Sequence, residues 1–155
     1  MSNIVRLRNV DMENLIALSK NDDFPLRITE KSRYDVKVHY LSGDYPVHSG
    51  SQTYGYYVYD ELVGVMTATY MYVFLHSDSP NGRVVHISGA YVHPNYRGKG
   101  IATELLAYIE KDSKKYFKAD YLCCNGSADD LYKKAGFVES SESRLWKRLS
   151  YERSS

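Results

Sequence analysis

The run Val92-His93-Pro94-Asn95-Tyr96-Arg97-Gly98-Lys99-Gly100-Ile101-Ala102 joins a strand-like stretch, Val84 to Val92, to a helix-like one, Ile101 to Phe117. Such a junction suits a pyrophosphate. Gly98 and Gly100 let the backbone turn tightly and come close to a ligand, and unpaired N–H groups gather at a helix start. The helix dipole adds about 0.3–1 kcal/mol for each nearby negative charge. Arg97 and Lys99 either add charged contacts or stay solvated, so the backbone carries the anion-binding argument. A nucleotide P-loop is excluded, because Lys99 is followed by Gly100 rather than Ser or Thr and the upstream Gly is missing. A dinucleotide fingerprint is excluded too, since Thr103 stands where its third Gly belongs.

A second segment is Asn125-Gly126-Ser127-Ala128-Asp129-Asp130-Leu131-Tyr132-Lys133-Lys134-Ala135-Gly136-Phe137. Together the two segments resemble the GNAT acyltransferases, the general N-acetyltransferase superfamily. Arg97, Gly100 and Ala102 fill the acyl-CoA signature of that family. Asn125, Ala128, Leu131-Tyr132, Lys134 and Gly136-Phe137 match its usual closing pattern in order and spacing. The resemblance covers about Leu62 to Leu149; the first third of the chain adds only a compatible strand-helix order.

The resemblance implies an α/β fold: a mixed, mostly antiparallel central sheet flanked by helices, with splayed parallel strands at the cofactor site. Val84–Val92 and Ala119–Cys124 are the two strands that part, with pantetheine in the gap. It implies acetyl-CoA as co-substrate and no metal. Backbone groups at Tyr91 and Val92 would hold the cofactor arm, and the amides of Arg97, Gly98, Lys99, Gly100, Ile101, Ala102 and Thr103 the pyrophosphate. Asn125 would bond the pantetheine amides or the strand beside them. Tyr132 matches the family's proton donor to the CoA sulfur, and a phenol that titrates near pH 10 can protonate a thiolate. His86 occupies the position where the family often carries its general base, a Glu or in some branches a His, with Ser88 two residues further on the same face. Histidine is suited to taking a proton directly or through water.

Read from the residues alone, each of these positions keeps a plainer alternative. Tyr132 is either that donor or a packing residue beside Ala128, Leu131 and Ala135. Asn125 either binds cofactor or ends a strand, and His86 is either a base or a histidine satisfied by hydrogen bonds in a sheet. Val84–Val92 carries no Glu or Asp; if His86 is not the base, a water chain or one of Glu30, Asp35 and Asp44 must serve. Cys123 and Cys124 raise an acyl-cysteine route. No His lies near them in sequence, and buried Cys is usually a small hydrophobe.

These residues need elements to position them. Ile4 to Arg8 alternates as a first strand, and Val10 to Lys20 reads as a helix with Asn9 or Asp11 near its cap. From Asn21 to Ser51 the pattern is broken by Pro25, Gly43, Pro46 and Gly50, with a short helix expected from Glu30 to Leu41 and a long loop after it. Gln52–Tyr59 and Leu62–His76 read as strands around a turn at Asp60-Glu61. The second of these is apolar on both faces and therefore central. Pro80-Asn81-Gly82 marks a hairpin into Val84–Val92. The following helix carries the stripe Ile101, Ala102, Leu105, Leu106 and Ile109. Ala119–Cys124 must run parallel to the strand before that helix. Ser127 caps the last helix, Gly136 ends it, and Phe137–Glu139 with Arg144–Leu149 closes the sheet.

The 155 residues are expected to form one domain over 1–155, large enough for a core without disulfides or metal. Twenty basic against nineteen acidic residues give a net charge of +1, which argues against nucleic acid as a partner. The first residues lack a signal-peptide pattern, and no stretch approaches the roughly 18 apolar residues of a membrane span. Adjacent cysteines point to opposite faces of a strand and suit a reduced cytoplasm. The scattered histidines and the basic residues Arg144, Lys147, Arg148 and Arg153 suggest neither a metal site nor more than a solvated face. Sixteen tyrosines are mostly strand formers, although a tyrosine-rich pocket would favour a cationic or aromatic amine.

These readings converge on an N-acetyltransferase that moves an acetyl group from acetyl-CoA to a small-molecule primary amine in a ternary complex, as a cytoplasmic protein and in this family often a homodimer. The alternatives are a protein or peptide N-acetyltransferase, and a non-catalytic acyl-CoA-binding sensor.

Overall fold

The computed structural model describes residues 3–25, 27–44, 47–75, 77–125, 130–139 and 144–151. Strands β1 (Ile4–Arg6), β2 (Gly50–Val58), β3 (Glu61–Tyr72), β4 (Arg83–Val92), β5 (Tyr121–Asn125), β6 (Val138–Glu139) and β7 (Arg144–Arg148) form one sheet in the order β1-β2-β3-β4-β5-β7-β6. Among them β4 and β5 are the parallel pair; the others are antiparallel. Helices α1 (Met12–Ser19), α2 (Glu30–Tyr40), α3 (Ile101–Asp112) and α4 (Asp130–Lys134) complete the order.

Beta-branched and aromatic residues make β2 and β3 long strands. Because β3 is third of seven, both of its faces are covered. Val63, Met66, Ala68 and Tyr70 meet the α3 stripe of Ile101, Leu105, Leu106 and Ile109. Leu62 and Val65 meet Leu15 and Leu18 of α1 on the other face. Burying each such aliphatic side chain contributes about 1.5–3 kcal/mol, and this fixes α3, and so its N-terminus, against the sheet. The helical segment expected up to Phe117 is α-helical to Asp112 and continues as a π-helical turn over Ser113–Phe117.

The first strand stops at Arg6 rather than Arg8, because Asp11 folds back to accept the Arg8 amide (2.8 Å) and tightens Asn9–Asp11 into a 3₁₀ turn before α1. Strand β3 ends at Tyr72, short of the expected His76, which lies outside the described residues. Its continuation turns away at Phe74 (92% exposed). The connection to β4 is held from below by buried Asp120, whose carboxylate accepts the Ser79 hydroxyl (2.6 Å) and the amides of Asn81 (3.1 Å) and Arg83 (3.2 Å). Ser127 and Arg153 also lie outside the described residues. Lys147 and Arg148 are not simply solvated: Lys147 pairs with Glu110 at 2.6 Å, and Arg148 with Asp78 at 3.5 Å.

Candidate active site

The β4–β5 ladder runs from Val84 opposite Tyr121 to Ile87 opposite Cys124, and there it stops. Beyond it β4 continues through exposed Ser88, Gly89 and Ala90 to Val92, and β5 ends at exposed Asn125. The parallel ladder therefore ends while β4 runs on, at the place where the resemblance implies that the strands splay. On its other side β4 stays paired with β3, but Thr67 faces Ser88 while Val65 faces Tyr91. Gly89 and Ala90 together oppose Met66, which is a β-bulge. Gly89 carries the bulge at φ +63, a conformation an L side chain rarely adopts.

The bulge reverses the alternation of β4. Val85 and Ile87 face α3, while His86 and Ser88 face the side of α1 and α2. After the bulge Tyr91 also faces α1 and α2, where it is 7% exposed. The Tyr91 side chain is thus turned away from the strand gap, and its backbone is what remains available there.

Past β4, His93 caps the short turn Pro94–Tyr96 by accepting the Asn95 amide on its ring (3.1 Å). Gly98 and Gly100 then bring the chain into α3 with φ of +77 and +81, and a Cβ on either would meet nothing within 4 Å. Among the described residues, the amides of Gly98 through Thr103 have no backbone acceptor, whereas the Glu104 amide already bonds the Gly100 carbonyl (3.0 Å). Gly98, Gly100, Ile101, Ala102 and Thr103 line an open groove of about 330 Å³ with Val92, Tyr96 and Arg97. The open cradle and its unpaired amides suit a diphosphate.

Arg97 does not point into that groove as a free cation. Its Nε donates to the Val92 carbonyl (2.8 Å), and its guanidinium is ion-paired with Asp23 and lies over the Tyr91 ring at 5.3 Å. The Tyr91 hydroxyl donates to the same carboxylate (2.5 Å), and Phe24 meets the Tyr91 ring edge-on at 4.8 Å. Tyr91 first and Arg97 second, these donors hold Asp23 below the ordinary carboxylate range, and the hydrogen bond to Asp23 raises Arg97 in turn. Lys99 lies over the Tyr96 ring at 5.3 Å.

On the α1–α2 face, an apolar cavity of about 160 Å³ abuts the bulge, with Ser88 and Gly89 in its wall. Leu15, Phe24, Ile28, Val36 and Val65 supply most of the rest. Among the described tyrosines Tyr40 lines it, while Tyr54 and Tyr70 face the α3 core instead. There the Tyr54 hydroxyl donates to Asp112 (2.9 Å), so Tyr70 donates to Tyr54 (2.5 Å), and burial pushes the Tyr70 phenol up to about 12. A wider groove of about 690 Å³, lined by Lys20, Asp60, Glu61 and His93, lies between α1 and the β2–β3 turn, and no residue of the bulge borders it.

His86 sits one pleat from Ser88 on the cavity's face but outside its lining. Register also places it directly beside Cys123, a neighbour invisible in the sequence. The alternative carboxylates are elsewhere: Glu30 pairs with Arg33, Asp44 with Arg8, and Asp35 is exposed on α2. Tyr132 is buried (7% exposed) in α4 and meets Phe137 at 5.4 Å. Asp23 is the site residue that sequence reasoning missed; it lies in an unpatterned loop and gives no local signal.

The chain matches the model of the acetyltransferase (GNAT) family over residues 16–137. It is 31% identical over 86 residues to the thialysine N-epsilon-acetyltransferase of Mus musculus, covering 53% of this chain and 50% of that one. The chain thus matches about half the length of such curated relatives. Its fold is shared with a predicted acetyltransferase from Clostridium acetobutylicum solved with acetyl-CoA (TM-score 0.69, 19% identity, 97% of this chain and 96% of that one). The GNAT domain of S. lividans PAT is similar too (TM-score 0.71, 13% identity, 94% and 89%). Among the described residues no group of His, Cys, Asp and Glu is placed to hold a metal, and no helix is long and apolar enough to cross a membrane.

Proposed function

This chain belongs to the GNAT family of acetyltransferases, and from that premise we propose that it moves an acetyl group from acetyl-CoA to a primary amine of a small molecule by direct transfer. The observation that carries this reading is the end of β4–β5 pairing at Ile87 and Cys124. It leaves one strand edge open between an unpaired amide cradle and an apolar cavity.

In this reading the backbone at Tyr91 and Val92 holds the pantetheine arm as a further strand would, and Asn125 bonds its amides from the facing edge. The amides of Gly98, Lys99, Gly100, Ile101, Ala102 and Thr103 hold the pyrophosphate. Arg97 shapes that loop through Val92 and Asp23, and Lys99 adds exposed charge.

The acceptor amine enters from the bulge side and gives its extra proton to His86 through water beyond Ser88. Its nitrogen then bonds the acetyl carbon and, as the carbon–sulfur bond breaks, releases its second proton to water, leaving the neutral amide. Tyr132 protonates the departing thiolate and recovers a proton from solvent. General acid or base groups in such roles contribute about 10²–10⁴ in rate.

The test is free-thiol release from acetyl-CoA across amines, amino acids, aminoglycosides and short peptides. Release that depends on a small amine supports the proposal. Release with peptides alone shifts the reading to a peptide N-acetyltransferase, and tight binding without release shifts it to a sensor.

A further inference from the structure

The apolar cavity at the bulge has a size and a lining that select an acceptor, and this inference rests on the transferase reading above. We propose that the acceptor carries one uncharged apolar group, about the size of a benzene ring, next to its reacting amine, and that this group fills the cavity. The volume is about 160 Å³, and an apolar cavity of about 150 Å³ is known to hold benzene. Leu15, Phe24, Ile28, Val36 and Val65 present carbon to its interior.

The polar atoms in the wall do not call for a charged ligand. Thr53 and Thr67 bond each other through their hydroxyls at 2.9 Å. Among the described residues, no Asp, Glu, Lys, Arg or His lines the cavity. A second ammonium or a carboxylate placed there would lose its hydration and gain no counter-charge. Asp23, the nearest acid in sequence to Phe24, is already committed to Tyr91 and Arg97. The amine itself stays at Ser88 and Gly89, where the cavity meets the open edge of β4.

The same chemistry is offered by an arylalkylamine or by a peptide whose first side chain is apolar. The experiment compares kcat/KM on the wild-type protein for ethylamine, 3-methylbutylamine, 2-phenylethylamine, putrescine and thialysine, with tetrapeptides beginning Phe or Asp as a second arm. Each buried methylene is expected to raise kcat/KM about fourfold; a buried phenyl ring, equivalent to about three to four methylenes, raises 2-phenylethylamine over ethylamine by about a hundredfold, while putrescine and thialysine gain nothing over ethylamine. Val36→Phe, and separately Ile28→Trp, fill the cavity and reduce the ratio of 2-phenylethylamine to ethylamine by about tenfold or more. A Phe-over-Asp preference confined to the peptides supports the cavity with a peptide as its source. A flat response to the apolar group, or putrescine or thialysine as the best amine, overturns this proposal and leaves the transferase reading standing. Failure of all amines and peptides to release thiol overturns the transferase reading itself.

Discussion

Asp23 and Arg97 lie seventy-four positions apart and form an ion pair that ties the loop after α1 to the turn before α3. The loop carries Phe24, part of the apolar cavity wall, and the turn carries the amide cradle. One carboxylate thus links the two halves of the candidate site. It also explains why the cradle relies on backbone: the arginine beside it is already neutralised.

Asp23→Asn removes that charge while keeping a hydrogen-bond acceptor for Tyr91. We expect a few-fold rise in acceptor KM, with a smaller change for acetyl-CoA, because the loosened loop borders the acceptor cavity. Since Tyr91 and Arg97 hold Asp23 below its ordinary range, the pair's contribution is present above the unfolded carboxylate pKa of 3.8 and lost only as pH falls through the lowered folded value. The ratio of wild-type to variant KM is therefore the same at about pH 6 and about pH 8. A ratio that changes between them contradicts the pairing.

Tyr132→Phe keeps the ring packed on Phe137 and deletes only the hydroxyl. A fall in kcat of about a hundredfold with unchanged acetyl-CoA affinity marks a proton donor. Equal losses in kcat and affinity, or in thermal stability, mark a packing residue. His86→Gln, read as a pH–rate profile, tests the base: the acid-side limb of the wild type is lost if His86 accepts the proton, and is kept if it does not.

Gly100→Ala places a Cβ in the open cradle at φ +81. The left-handed strain costs about 1–2 kcal/mol, which thermal unfolding reports as a drop of a few degrees. Acetyl-CoA affinity falls about tenfold or more, because the methyl group occupies the space beside the amides. A stability loss without an affinity loss would remove the cradle from the binding site.

Asp112 is 6% exposed, and burial raises its pKa despite the hydrogen bond from Tyr54. The folded state therefore holds this proton more tightly than the unfolded chain. Stability from this group is full below the unfolded value of 3.8 and declines as pH rises through the folded value. Asp112→Asn, which still accepts from Tyr54, should flatten the fall in Tm on going from about pH 4 to neutrality. Parallel Tm curves for variant and wild type would contradict this.

What could be read from the sequence was local. The Arg97–Ala102 loop and the Ile101, Leu105, Leu106 and Ile109 stripe of α3 are encoded by neighbours within a turn or two. The face of Tyr91 was not legible from simple alternation, because the bulge shifts the register by one. Gly89 inside a strand was the available signal for it. Neither Asp23 nor the cavity wall leaves a periodic trace, since their partners come from β4 and α2 far along the chain. His86 and Cys123 likewise become neighbours only through the parallel register.

The most direct test of transfer at the end of the β4–β5 ladder is an initial-velocity matrix in acetyl-CoA and the best amine, with thiol release as the readout. Direct transfer gives lines that intersect, and no thiol is released in the absence of amine. Parallel lines with a burst of thiol before amine is added would place the acetyl group on the protein, with Cys123 beside His86 the first position to examine, and would contradict direct transfer.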